Sequence, residues 1–198
     1  MRTNYVLIDY ENVQPKALAA LEQDHFVVFV FVGASQTKVN FEVASVLQRM
    51  GERAHYIKIA GNGTNALDFH IAFYIGQLAA QTPDAYFHIV SKDTGFDPLI
   101  QHLKARKIHA CRSKDVADIP LVKAAVAKDP EDRIDLIVSN LLSRGASRPR
   151  TAKTLASTIN ALFQKQLPEQ EVASLLAELQ KRGAIAINGT KVSYALTA

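Results

Sequence analysis

Residues 26–32 read FVVFVFV, seven consecutive Phe and Val residues with no polar position. A strand with one wet face alternates apolar and polar residues, so an unbroken apolar run of this length belongs to a strand covered on both faces, as in a parallel sheet. Working outward, similar short runs recur as YVLID (5–9), HYIKIA (55–60), YFHIVS (86–91) and IHACR (108–112). Helical signals separate them. Pro15 is suited to a first helical turn and predicts a helix over KALAALEQ (16–23). Further helices are predicted over 39–50, closed by Gly51, over 65–80 and over 98–106. Five β-α units imply an α/β fold, and right-handed crossovers make a doubly wound, five-stranded parallel sheet its natural closure. The predicted strand order is 3-2-1-4-5, with the first and fourth strands side by side.

The rhythm changes after the charged segment AKDPEDR (127–133), which is read as a boundary between domains at 1–128 and 129–198. Three helices are expected beyond it, at about 131–144, 151–163 and 169–182. AIAI and KVSYAL then flank Asn188-Gly189, a strong hairpin signal. Three helices and a hairpin read as a small winged helix-turn-helix-like domain.

With 48% apolar and 21% charged residues among 198, the chain can build a real core. Its formal charge of +4 is compatible with a polyanionic partner. The single cysteine, Cys111, excludes an internal disulfide and reads as a small buried residue on a strand. No Cys/His framework points to structural zinc. The N-terminal MRTNYVLIDY lacks a signal-peptide layout, and no apolar run approaches the ~18 residues of a membrane span. A soluble, cytoplasmic protein with no membrane partner is expected.

In open α/β sheets, ligands bind beyond the carboxyl ends of the strands, where the strand order reverses. Asp9 ends the first strand and Asp93 follows the fourth, so the predicted order places both in that crevice. Asp68 comes from the junction after the third strand. Asn65 and Asp68 share a helix face at i, i+3, and Asp97 starts the next helix. Clustered carboxylates repel unless cations neutralise them, and an all-oxygen donor set favours Mg2+ or Mn2+. Such ions activate water for attack on a phosphodiester. The four acids are the candidate metal ligands and catalytic residues, with Asn12, Asn65 and Glu11 as supporting polar groups.

Each also has a plain structural reading. Asn65 and Asp68 fit a helix cap with its partner acid, Asp97-Pro98 an N-cap followed by proline, and Asp93 a turn residue. Asp9 resists that reading, because a carboxylate closing a buried apolar strand needs something to bind. The histidines do not converge: His70 points to another side of its helix from Asp68, and His88 lies inside a strand.

LIDYENV, GNGTNALDFHIAFYIG and IVSKDTGFDPLI resemble the three signature blocks of the NYN branch of PIN-like ribonucleases. The resemblance covers residues 4 to about 112. It implies a metal-dependent nuclease built around Asp9, Asp68 and Asp93, and the expected partner is RNA, with single-stranded DNA as the alternative. Asn12 matches the Asn of the first block. Many members carry a Gly-Asp-Ser-Asp-Phe type run in the third block. Here Lys92 and Gly95 stand at its Gly and second Asp positions, which leaves Asp97 as the candidate fourth ligand.

Two basic stretches have no acid. Residues 104–114 carry five Lys/Arg, and residues 144–165 carry Arg144, Arg148, Arg150, Lys153 and Lys165. Lys38, Lys92, Arg148 and Arg150 are the candidate nucleic-acid contacts, against the alternative of an ordinary solvated surface. Helix 169–182 carries Glu169, Glu171 and Glu178, poor chemistry for a DNA groove. The C-terminal module therefore either helps hold nucleic acid through its basic loop and Lys191, or forms a homodimer or protein contact. Two rival functions follow. A phosphatase of the haloacid dehalogenase kind needs a second Asp two residues after the first, where this chain has Glu11. A non-catalytic nucleic-acid-binding regulator would carry a degenerate N-terminal domain.

Overall fold

The computed structural model describes residues 2–127, 129–163 and 167–196. Five parallel strands form one sheet: β1 (Asn4–Asp9), β2 (Phe26–Val32), β3 (Ala54–Lys58), β4 (Tyr86–Val90) and β5 (His109–Ser113). Their order is β3-β2-β1-β4-β5, as expected. The register sets Ile8 of β1 against Val30 on one side and Val90 on the other. Asp9 and the residues after β4 thus emerge at the same end of the sheet.

Side chains alternate across a strand, so each buried strand serves two layers. Leu7, Phe29, Phe31, Phe87 and Ile89 pack in one cluster with Leu67, Ile71 and Ile75 of α2 (Ala66–Gln81) and Leu103 of α3 (Asp97–Ala105). Val6, Ile8, Val28 and Val30 alternate to the other face and are fully buried. α1 (Phe41–Met50) packs against β3 and buries Val43, Val46, Leu47 and Met50. Asn40 caps it by accepting from the Glu42 amide, and Gly51 closes it at φ 58.

The helix predicted over 16–23 is only a 3-10 turn, Leu18–Leu21. Its two buried anchors, Leu18 and Leu21, are spaced i, i+3, the repeat of a 3-10 helix, and no side chain caps its start.

The chain divides into two compact units between Ile119 and Pro120. α4 (Pro120–Val126), expected in the first domain by a boundary at 128/129, packs with the second, where Ala124 joins the core. α5 (Pro130–Arg144), α6 (Ala152–Leu162) and α7 (Glu169–Lys181) bury Ile134, Leu155 and Leu175 together with Ile185 of a hairpin. That hairpin pairs β6 (Ile185–Asn188) with β7 (Lys191–Tyr194). Its last pair is Asn188 with Lys191, so the turn residues are Gly189 and Thr190, with only Gly189 at positive φ. This is the type II′ pattern, with glycine first, rather than an Asn-Gly type I′ turn. Lys165 lies outside the described residues.

Candidate active site

Asp9 is carried into the crevice by β1 and is 4% exposed. Its Oδ1 accepts from the Asn12 amide at 3.1 Å and its Oδ2 from the Ser91 hydroxyl at 2.8 Å. Burial raises its pKa above the usual carboxylate range although both hydrogen bonds oppose the shift. Ser91, fully buried just past β4, also accepts from the Asp93 amide at 3.1 Å. One hydroxyl thereby links the Asp9 carboxylate at the end of β1 to the backbone of Asp93 just beyond β4. Asp93 Oδ1 accepts from Gly95 N at 2.7 Å, capping the turn Thr94–Phe96. Its Oδ2 has no hydrogen-bond donor among the described residues. Asp93 thus fills the turn role as well as facing the crevice.

Asp68 stands in the first turn of α2. Its carboxylate has no hydrogen-bond or ion-pair partner among the described residues. Desolvation first, then the charges of Asp9, Asp93 and Glu11, lift its pKa to about 6. The cap reading of Asn65 does not hold. Asn65 adopts left-handed backbone (φ 62, ψ 16) and its side chain makes no capping bond. Asn is among the few side chains that tolerate this conformation. Asn65 and Asp68 instead line one pocket of about 320 Å³ with Asp9, Glu11, Asn12, Gly63, Ala66, Leu67 and Asp93. Glu11 lies over Gly33, where any Cβ would overlap its carboxyl group.

Asp97 is not among the residues lining this pocket. As the first residue of α3 it caps nothing, its N-cap position being Phe96. Its two oxygens accept from Arg112 Nε at 2.8 Å and Nη2 at 3.1 Å. This pairing holds the Asp97 carboxyl below its ordinary pKa. Arg112 Nη1 donates to the Ser91 carbonyl at 3.3 Å. The fourth acid therefore braces the turn that carries Ser91 and Asp93. Lys38 and Lys92 are exposed on the loops after β2 and β4, and neither lines the pocket.

Sequence reasoning missed Ser91, Arg112 and Gly33. The first had a usable signal: a small hydroxyl directly after the strand paired with the one ending in Asp9. His88 is fully buried between Asn4 Oδ1 (3.1 Å) and Cys111 Sγ (3.3 Å), and burial drives its pKa to about 3. Burial likewise pushes the half-buried Cys111 thiol up to about 11.

The lining contains four carboxylates and no Lys, Arg, His, Cys or Ser. The donor set is hard oxygen throughout, and Asp68 lacks a counter-charge. These features fit a hard divalent cation. Among the described residues, no three His, Cys, Asp or Glu side chains are grouped closely enough to hold a metal ion by themselves. Mg2+ commonly takes only one or two protein carboxylates and keeps several waters.

The PIN-domain family model matches residues 3–113, more than half of the chain and the whole sheet from β1 through β5. This chain belongs to the PIN-domain family. PIN domains are generally nucleases that use divalent metals, so the first unit is nuclease-like and its α/β sheet is the expected one. The match stops before the second unit, Pro120 onward. The chain has no match among curated proteins. No helix among the described residues is long and apolar enough to cross a membrane.

Proposed function

We propose that this protein is a metal-dependent endoribonuclease of the NYN branch of PIN domains. The observation that carries the reading is the pocket at the β1/β4 crossover, where Asp9, Glu11, Asp68 and Asp93 gather without any basic group. Asp9, Asp68 and Asp93 would share Mg2+ or Mn2+, one or two of them directly and the rest through water, with Glu11 beside them. When bound, the cation supplies neutralisation of the carboxylates and activation of water for phosphodiester hydrolysis. Asp9 contributes a buried oxygen oriented by Ser91 and the Asn12 amide, and Asp93 contributes its free Oδ2. The amides of Asn12 and Asn65 offer neutral hydrogen bonds for phosphate oxygens. The lining has no Ser, Cys, Lys or His side chain to act as a nucleophile, and with its carboxylates turned to the cation the attacking group is water from solvent. The second unit fits a winged-helix-like module, since the segment entering α6 bridges to its hairpin at Thr151 and Lys191.

A non-catalytic nucleic-acid-binding role is the second reading, favoured by the capture of Asp97, the expected fourth ligand, by Arg112 outside the pocket. One assay separates the two. The purified protein is incubated with end-labelled single-stranded RNA, duplex RNA and single-stranded DNA in Mn2+, Mg2+ or EDTA. Cleavage of RNA with either ion, absent in EDTA and absent in Asp93→Asn, supports the nuclease. Intact RNA under every condition, with retained binding, supports the regulator.

A further inference from the structure

Acids and bases are segregated in the second unit. No Asp or Glu occurs from residue 136 to 163 or from 183 to 196. Three carboxylates of α5 and α7 are engaged within the unit: Arg133 pairs with Glu171, and Arg182 bridges Glu131 at 2.6 Å and Glu178 at 2.9 Å. α7 is thus tied to α5 by its acids and presents poor chemistry to phosphates.

Backbone pairing brings the two acid-free segments together. Thr151 forms an antiparallel bridge with Lys191. Val192 N donates to the Arg150 carbonyl and Ala152 N to the Thr190 carbonyl, both at 3.0 Å. Arg150, Lys153 and Lys191 therefore stand on adjoining stretches of backbone. All three are exposed, and none of their cationic side chains has an ion-pair or hydrogen-bond partner among the described residues. Arg148, expected to join them, is taken up by the fold. Its Nε donates to the Leu141 carbonyl at 2.8 Å and its guanidinium lies 5.6 Å from the Tyr194 ring centroid.

Three neighbouring cations with no counter-charge repel one another, and a polyanion relieves that repulsion. The acid-lined pocket of the first unit has no cation with which to hold a polyanion, so affinity must come from elsewhere on the chain. We propose that Arg150, Lys153 and Lys191 form a contact surface for the phosphates of RNA. The surface holds the backbone without reading sequence, because flexible cations on a strand edge and helix start contact phosphate rather than base edges. The choice of RNA as the polyanion rests on the function proposed above.

The test is binding of a labelled single-stranded RNA of mixed sequence to the full chain in EDTA, by fluorescence anisotropy across a salt series. Arg150→Ala, Lys153→Ala and Lys191→Ala are combined in one variant. Three contacts at about 0.7 each lower the salt slope by roughly 2, and affinity at low salt falls about tenfold or more. A charge-matched variant, Lys104→Ala with Arg106→Ala and Lys107→Ala, is expected to change little. Circular dichroism and melting confirm that both are folded, and Lys153→Arg with Lys191→Arg retains binding. Unchanged binding in the first variant overturns the proposal. So do an equal loss in both variants, and binding to phosphatidylserine vesicles in place of RNA. A wild type that binds through these residues in EDTA yet never cleaves with Mn2+ refutes the nuclease and leaves this surface standing. Cleavage by wild type, with the first variant binding normally, refutes this surface alone.

Discussion

Asp97 and Arg112 meet in a fork of two hydrogen bonds, 2.8 and 3.1 Å long, with the Arg112 side chain 14% exposed and Asp97 47%. The third arm of the guanidinium reaches the Ser91 carbonyl. An acid that the sequence offers as a metal ligand is thereby a brace for the turn bearing Asp93.

This pairing predicts how Asp97→Asn behaves. It should resemble Arg112→Ala rather than Asp93→Asn, with stability lower by about 1 kcal/mol, since solvent screens the exposed carboxylate. Arg112→Lys should restore little, because an ammonium lacks the planar fork. A double-mutant cycle of Asp97→Asn and Arg112→Ala, followed by urea denaturation, should give a total below the sum of the single effects. Additive losses would mean the two residues act separately.

Ser91→Ala removes a donor to Asp9 and an acceptor for the Asp93 amide at once. Both groups are left short of a partner, at a cost of about 1–3 kcal/mol. The Ser91 bond also lowers the Asp9 pKa, so its loss raises that pKa further. The acid limb of Mn2+ binding, followed by calorimetry across pH, should move to higher pH. A variant with wild-type stability and an unmoved limb would show that the hydroxyl is dispensable.

Asp68 links the pocket to a pH effect on stability. Its folded pKa of about 6 lies above the ordinary carboxylate value of 3.8. The metal-free protein therefore holds the full benefit of a protonated Asp68 below 3.8 and loses it as pH rises through about 6. Melting temperature in EDTA should fall across that window, and Asp68→Asn should flatten the fall. Mn2+ should restore stability above pH 6 in wild type but less in the variant. A melting curve in EDTA with the same pH profile for both proteins would exclude Asp68 as the titrating group.

Gly33→Ala places a methyl group where the Glu11 carboxyl end lies. Glu11 is exposed and flexible, so it can swing aside, and stability should change by less than about 0.5 kcal/mol. If Glu11 serves the pocket, RNA cleavage should fall to the level of Glu11→Ala, with no further loss in the double variant. Full activity in Gly33→Ala would remove Glu11 from the site.

Much of the architecture is legible in the sequence because it depends on local pattern. FVVFVFV and its counterparts identify strands buried on both faces, and the interleaved helical segments require parallel crossovers. Placing Asp9 and Asp93 at one end of the sheet then needs only the strand order. The exceptions are also local in origin. Leu18 and Leu21 have the spacing of a 3-10 turn, where the sequence pattern predicts a longer helix. Gly189, not Asn188, is the first residue of the hairpin turn.

What tertiary structure alone decided is which partner each polar group has. Asp97-Pro98 is a plausible cap by sequence, yet β5 brings Arg112 within 2.8 Å of it. Arg148 belongs to a basic stretch, yet the Leu141 carbonyl and Tyr194 ring claim it. Arg150, Lys153 and Lys191 are split between two segments, and only strand pairing joins them. Hydrophobic periodicity records which face of an element is buried and so survives in one dimension. A hydrogen bond or ion pair depends on register and on distances of a few ångströms between remote segments, which no local pattern encodes.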